Sequence, residues 1–513
     1  MKIKKPLQEA GGIHRCKTWE MAFFALNNTS TNMYMAAMMF ISYYATGFVG
    51  MGVVLVSNLA MAMRMFDGIT DPIIGFILDK TNGKFGKNRP FIVIGNIILA
   101  VTSFSLYHFT HLLPESPGNI VRILFYIVIY ALYIIGYTCQ CVVTKSAQTC
   151  MTNDPAQRPM FSTFDAIFAA IFTMPAMMLV PAFIEPMYRF TDAAGKIQSG
   201  FKNIDFFYFI WAAFASISAI MAVLAIIGIR RKDKEEFYGL GEQNVPIRFR
   251  DYWQVLKGNR AIQMLVVAAS TDKLFMGMQS NPIITVMLFG IICGNYAVSG
   301  IMGLITMVPT LILTILGMKF VASKMGQKKA LLFGTYGCII GTILMFFLFL
   351  FGTPTDLLRG FNFFTIAFIA IRCVVSGFAG ISGNIVIPMT ADCADYETYR
   401  SGRYVPGLMG TLFSFVDKMI SSFGAAIVGT MIAAIGFTTV QPDPTTPLTT
   451  GIYWVTMICF FGMPLIGWLC NIIAMKFYPL NKEKMEEIQI HIADIKAKAL
   501  AKAEGIPSDT NAE

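Results

Sequence analysis

Runs of about 20 or more mostly apolar residues recur twelve times along the chain, and each is long enough to cross a hydrocarbon layer about 30 Å thick as a helix. Their approximate limits are 20–46, 51–79, 90–112, 119–149, 158–187, 204–229, 260–292, 296–322, 328–352, 362–391, 405–436 and 450–477. In lipid a chain must satisfy its backbone polar groups internally, so the runs predict helices rather than open sheet. Composition agrees: charged residues are only 14% of the 513, against about a quarter in ordinary globular domains. Several soluble domains, a disordered chain and a fibrous repeat are thereby excluded. The first run is too long for the apolar core of a signal peptide and lacks a small-residue cleavage site, so it is read as an uncleaved span.

Lys plus Arg number 40 and Asp plus Glu 30, a net charge of +10. In a soluble protein that excess would suggest nucleic acid, but here the basic residues sit in alternate short loops. Lys80, Lys84, Lys87 and Arg89 follow the second run, and Arg230, Arg231, Lys232 and Lys234 the sixth. Lys324, Lys328 and Lys329 follow the eighth, and Arg400 and Arg403 the tenth. The positive-inside rule then puts both termini in the cytoplasm of a multi-pass plasma-membrane protein. No nucleic-acid partner is expected; the partners are the bilayer and a small molecule, and the chain is read as a monomer.

The polar stretch 230–259 divides the chain into equal halves, giving an all-α polytopic protein with twelve transmembrane helices in two six-helix halves. The domains are 1–229, an N-terminal six-helix bundle; 230–259, a cytoplasmic linker; 260–477, a C-terminal six-helix bundle; and 478–513, a cytoplasmic tail. A central linker between matched halves is the outline of the major facilitator architecture. Short basic glycine-containing turns at Gly75 to Arg89 and at Gly317 to Lys329 occupy equivalent places in the two halves. In the tail, Met485, Ile488, Ile492 and Ile495 at helical spacing predict an amphipathic helix lying on the inner face or against the bundle.

An unpaired charge in hydrocarbon costs about 2.5–3.5 kcal/mol or more, so ionisable residues inside the runs are functional candidates. The sharpest group is Arg64-Met-Phe-Asp67-Gly68-Ile-Thr70-Asp71-Pro72 in the second run. On a helix Asp67, Thr70 and Asp71 share a face. Pro72 has no N–H, so the Gly68 carbonyl becomes a further available oxygen. Such a cluster suits a monovalent cation, whereas a proton would need one carboxylate. The alternative is that Arg64 simply neutralises Asp67.

The stretch RMFDGITDPIIGFILDKTNGKFGKNRPFIVIG resembles the second-helix signature of the glycoside–pentoside–hexuronide:cation symporters, melibiose-permease relatives within the major facilitator superfamily. ADCADYETYRSGRYVPG, from Ala391 to Gly407, resembles the family's segment at the inner end of the tenth span. Lys418 and the closing YPLNKEKMEEIQIHI fit as well, so the resemblance covers nearly the whole chain. It implies alternating access, with a sugar or glycoside driven by Na⁺ or H⁺, Li⁺ being a further option, through a site between the halves. It maps the cation ligands onto Asp67, Thr70, Asp71 and Thr138, and no cofactor is implied beyond the coupling ion.

The sugar side departs from the family pattern. Thr31 or a neighbour stands where melibiose-type members carry an Asp on span one, Cys141 replaces the span-four Asp, and Lys145 the aromatic one turn on. Asp165 and Ala166 replace the span-five arginine. Lys145, Lys273, Arg372 and Lys418 are basic groups inside the runs, able to hold an anionic hexuronide. The alternative is internal neutralisation by Asp165, Asp272 and Asp417. Asp392, Asp395 and Tyr399 share a face at the inner end of the tenth span, and either form a cytoplasmic gate with Arg400, Arg403 or the Lys84 to Arg89 loop, or are an ordinary solvated helix end.

Enzyme readings fail. Gly380-Ile-Ser382-Gly383 matches an intramembrane serine-protease element, but no histidine lies at mid-span to activate the serine. Gly83-x-x-Gly86-Lys87 has the wrong spacing for a phosphate loop. His108 and His111 read as interfacial side chains rather than metal ligands, and the cysteines, lying mainly inside the runs without C-x-x-C pairs, as reduced packing thiols. Besides a symporter, two classes stay open: an uncoupled facilitator or exchanger of the same fold, and a lipid-handling or receptor-like membrane protein.

Overall fold

The computed structural model describes residues 14–81, 83–114, 117–152, 157–234, 237, 256–318, 321, 325–360, 362–401 and 406–491. The long helices follow the apolar runs. They are Thr18–Met38 (α1), Val53–Lys80 (α2), Arg89–Phe109 (α3), Ile120–Met151 (α4) and Arg158–Phe168 (α5), the last running on through π-helical turns to Met187. Ile204–Ile229 (α6) completes the first half. Arg260–Gln279 (α7) is followed by the short apolar helix Pro282–Ile292; then come Ala297–Gly317 (α8), Gln327–Phe351 (α9) and Phe363–Ser401 (α10). Pro406–Ser421 and Phe423–Ala434 form the two parts of α11, Thr450–Phe477 is α12, and residues 482–491 form a tail helix, α13.

Eleven helices among the described residues are long and apolar enough to cross a membrane. The helix α1 is not one of them, because its middle reads Asn27-Asn28-Thr29-Ser30-Thr31-Asn32. Protein surrounds that polar middle instead: Asn27 Nδ2 donates to Thr144 Oγ1 at 2.8 Å, and Ser30 Oγ lies 2.8 Å from Ser218 Oγ on α6. The tenth span is longer than its apolar run suggests. The helix passes Pro388 and continues to Ser401, because Cys393, Ala394, Glu397 and Thr398 are buried against protein rather than left in water.

The chain forms two compact units. The first comprises Met1–Asn244, Ser280–Leu304 and Ser422–Thr456. Close packing within it relies on small residues, as at Gly95 and Gly136, where α3 and α4 approach so nearly that an added Cβ would meet the opposing chain. Glu20, 1% exposed, holds Arg231 through two bonds of 2.6 and 2.8 Å. At the end of this unit away from the basic loops, later segments fasten onto the first helices. Val53 N donates to Thr438 O at 2.9 Å, Tyr43 Oη to Pro442 O at 2.9 Å, and Lys202 pairs with Asp443 at 2.8 Å.

The basic loop after α2 is organised by one acid. Asp233, buried, accepts from the backbone N–H groups of Lys87, Asn88 and Arg89 and from the side chains of Asn88 and Arg89. Gly86, at φ +87°, makes the turn; a side chain there would strike Asp233.

The second unit comprises Val245–Gln279, Ile305–Ser421 and Met457–Glu513. Its core gathers Leu265, Ile385, Met389, Cys393, Met475 and Tyr478, and the tail helix adds Ile488, fully buried. Thus α13 packs on protein through Ile488, while Ile492 and Ile495 lie outside the described residues.

Candidate functional site

Three of the four expected cation ligands meet in the interior of the first unit. Asp67 and Thr70 on α2 are 8% and 6% exposed, and Thr138 on α4 is fully buried. Thr138 Oγ1 lies 3.0 Å from Asp67 Oδ1 and 3.0 Å from Thr70 Oγ1. Each hydroxyl also has a backbone carbonyl within reach: Ile134 O at 2.9 Å for Thr138 and Asp67 O at 3.1 Å for Thr70. A hydroxyl carries one proton and two lone pairs. When both protons turn to those carbonyls, both hydroxyl oxygens and the Asp67 carboxylate face inward as acceptors. Asp71, one turn on, is partly buried, and Pro72 within the same helix leaves the Gly68 carbonyl without its usual N–H donor.

Arg64 is exposed and no salt bridge joins it to Asp67 among the described residues. Cys141, one turn after Thr138 on α4, sits beside this cluster, within electrostatic reach of Asp67, Asp71 and Lys145. Thus one of the expected sugar positions, Cys141, adjoins the expected ion position, and Lys145, one turn further along α4, is exposed.

The other substrate candidates divide. Thr31 is 1% exposed and donates to Asn27 O at 2.9 Å, on a face of α1 that is packed in protein. The polar side chain near Asp165 is Asn28, one of the neighbours of Thr31 in the polar run of α1. Lys273 is neutralised, its ammonium 2.5 Å from Asp417 Oδ2. Asp272, its sequence neighbour, points elsewhere, to Asn471. Lys418 is partly buried next to Asp417. Arg372 lies over the Phe460 ring at 5.9 Å and has no acidic partner among the described residues.

The acids at the end of α10 have partners other than those expected. Asp395 accepts from Gln489 Nε2 at 2.6 Å and Tyr399 donates to Glu487 at 3.2 Å, while Asp392 and Gln327 line a common cavity. Arg400 pairs with Glu397, one turn back, at 3.0 Å. The Lys84 to Arg89 loop is engaged by Asp233, and Arg403 lies outside the described residues. Within the second unit, the tail helix is thus the partner of Asp395 and Tyr399. It borders a cavity of about 650 Å³ with Gln327, Lys328, Met389, Asp392 and Tyr478.

Catalytic alternatives find no support in the geometry. Ser382 Oγ donates back to Ala379 O at 3.1 Å, and Gly380 is packed against Thr314. Both ring nitrogens of His111 meet tyrosine hydroxyls, Tyr44 at 3.0 Å and Tyr208 at 3.2 Å.

A family model described as MFS/sugar transport protein matches residues 26–482. A glucuronide carrier protein homolog of Escherichia coli (strain K12) is 23% identical over 464 residues, covering 89% of this chain and 91% of its own. An isoprimeverose transporter of Lactiplantibacillus pentosus is 22% identical over 486 residues, covering 93% and 92%. Among solved structures, the nucleoside transporter NupG superposes with a TM-score of 0.57 at 14% identity, covering 89% of this chain and 99% of that one. That likeness shows the fold, a major facilitator fold of transmembrane helices. With a family match over most of its length, the chain belongs to the MFS/sugar transport protein family, as a multi-pass membrane transporter of the glycoside–pentoside–hexuronide:cation symporter type and not an enzyme.

Proposed function

We propose that the chain imports a sugar or glycoside by symport with Na⁺ or H⁺, with Asp67, Thr70, Asp71 and Thr138 holding the coupling ion. The observation that carries this is the buried oxygen cluster in which both threonine protons have carbonyls to turn to. Two carboxylates one helical turn apart repel, and an ion bound among the oxygens offsets that repulsion. The relatives named as a glucuronide carrier and an isoprimeverose transporter support a glycoside as substrate. The basic loops face the cytoplasm in this reading, as do both termini.

Vesicles carrying Asp71→Cys test it. Substrate counterflow persists while accumulation driven by an ion gradient is lost. Accumulation at the wild-type level would sink the coupling site and favour an uncoupled carrier.

One observation favours an anionic substrate within this reading. Arg372 is a cation inside a span without an acidic partner among the described residues, and a guanidinium is suited to a uronate carboxylate. Arg372→Gln should lower uptake of a uronide at least tenfold and leave the matching neutral glycoside unaffected. Equal losses for both would assign Arg372 to structure.

A further inference from the structure

Asp272 is a partly buried carboxyl group of the second unit, its Oδ1 shielded from solvent, that the proposed coupling site does not use. It lies about 18 Å along α7 from Arg260, near the middle of a hydrocarbon layer about 30 Å thick. Its Oδ2 is 2.5 Å from Nδ2 of Asn471 on α12, and Asn471 is fully buried. Two oxygens of this pair have no hydrogen-bond partner: Oδ1 of Asp272 and Oδ1 of Asn471.

No cation among the described residues answers this carboxylate. On its own helix the adjacent Lys273 is taken by Asp417 of α11, where Lys418 follows. From α9 the titratable group that reaches Asp272 is the Cys338 thiol. On α10 the guanidinium of Arg372 lies over Phe460, with Cys373 beside it, and α12 carries Cys470 one residue before Asn471. A carboxylate with a shielded, unpartnered oxygen and one neutral donor is strongly disfavoured.

A single proton resolves the whole arrangement. Placed on Asp272 Oδ1, it donates to Asn471 Oδ1, while Asn471 Nδ2 keeps its bond to Asp272 Oδ2. The two side chains then form a closed acid–amide ring with two hydrogen bonds, no net charge and neither oxygen left over. We propose that Asp272 is a proton-binding site of the second unit, holding its proton at neutral pH in a bond to Asn471. This site is separate from the oxygens of α2 and α4 and does not depend on which ion they hold. Loss of the proton at alkaline pH leaves a buried charge between α7 and α12 and weakens their packing.

Infrared difference spectroscopy of the purified full-length protein in lipid nanodiscs tests the proposal. At pH 7 the wild type should show a protonated-carboxyl C=O band that Asp272→Asn lacks, reduced by the contribution of one carboxyl. Asn471→Ala retains the acid but removes its acceptor, so the band should move to higher frequency. Thermal melts should show the wild type losing stability above neutral pH by an amount that Asp272→Asn does not lose. Superimposable carboxyl regions for wild type and Asp272→Asn at pH 7 would overturn the proposal. If Asp272→Asn does not fold, an unmoved band in Asn471→Ala overturns it equally.

Discussion

Replacing Thr138 by valine keeps the shape of the side chain and removes one oxygen from the centre of the proposed ion site. In the structure that oxygen is 3.0 Å from both Asp67 Oδ1 and Thr70 Oγ1, and 2.9 Å from Ile134 O. The hydroxyl therefore plays two parts. Without an ion it can donate to the Asp67 carboxylate; with an ion bound it can turn its proton to Ile134 and accept. Hydrogen bonds to charged groups contribute about 1.5–3 kcal/mol, and each 1.4 kcal/mol is tenfold in an equilibrium constant. If the ion interaction lost is of that size, Thr138→Val should weaken apparent ion affinity by about 10- to 150-fold. The measurement is initial substrate uptake into vesicles across a series of Na⁺ concentrations and pH values. The half-saturating ion concentration should rise while the maximal rate at saturating ion is retained. A variant whose ion dependence matches the wild type, with normal uptake, would refute the reasoning, because it would mean that no coupling ion contacts Thr138.

Other expectations concern the parts around the site. Asp233→Ala should lower stability by about 3 kcal/mol or more, since it strips the acceptor from three backbone N–H groups and two side chains at residues 87–89; a melting temperature unchanged in the same detergent would count against that role. His14, outside the spans, has its pKa lowered from 6.5 by burial and then by nearby Lys232. The undocked segment therefore binds protons more readily, and the stability that His14 lends by docking against Phe237 is present above pH 6.5 and lost as pH falls below it. Hydrogen exchange around residues 14–17, corrected for intrinsic rates, should quicken from pH 7.5 to pH 5, and a pH-independent rate would contradict this.

The positions of most spans were legible because lipid imposes a local rule, that a lipid-facing helix must be apolar over a fixed length; α1, whose polar middle is packed in protein, departs from it. The acids and hydroxyl of α2 were legible for a similar reason, since helical periodicity alone aligns Asp67, Thr70 and Asp71 and each would be costly in hydrocarbon. Partners were not legible. Asp272 and Lys273 are adjacent in sequence, yet they lie about 100° apart on α7 and meet Asn471 and Asp417 on different helices. Likewise, the end of α10 met the tail helix through Gln489 and Glu487, where spacing had suggested arginines.

What the amino-acid order determined by itself was where most of the membrane helices lie, the alternation of basic loops between them, and a polar face on α2. Tertiary structure alone decided which partner each charged group meets: Asp233 the turn at Gly86, Lys273 Asp417, Asp165 and Asp272 asparagines. The physical reason is that a helix sets the direction of a side chain relative to its own axis, whereas a partner depends on the rotation and approach of a second helix. That approach is set by packing over whole faces, including close contacts such as those at Gly95 and Gly136, and no local run of residues encodes it.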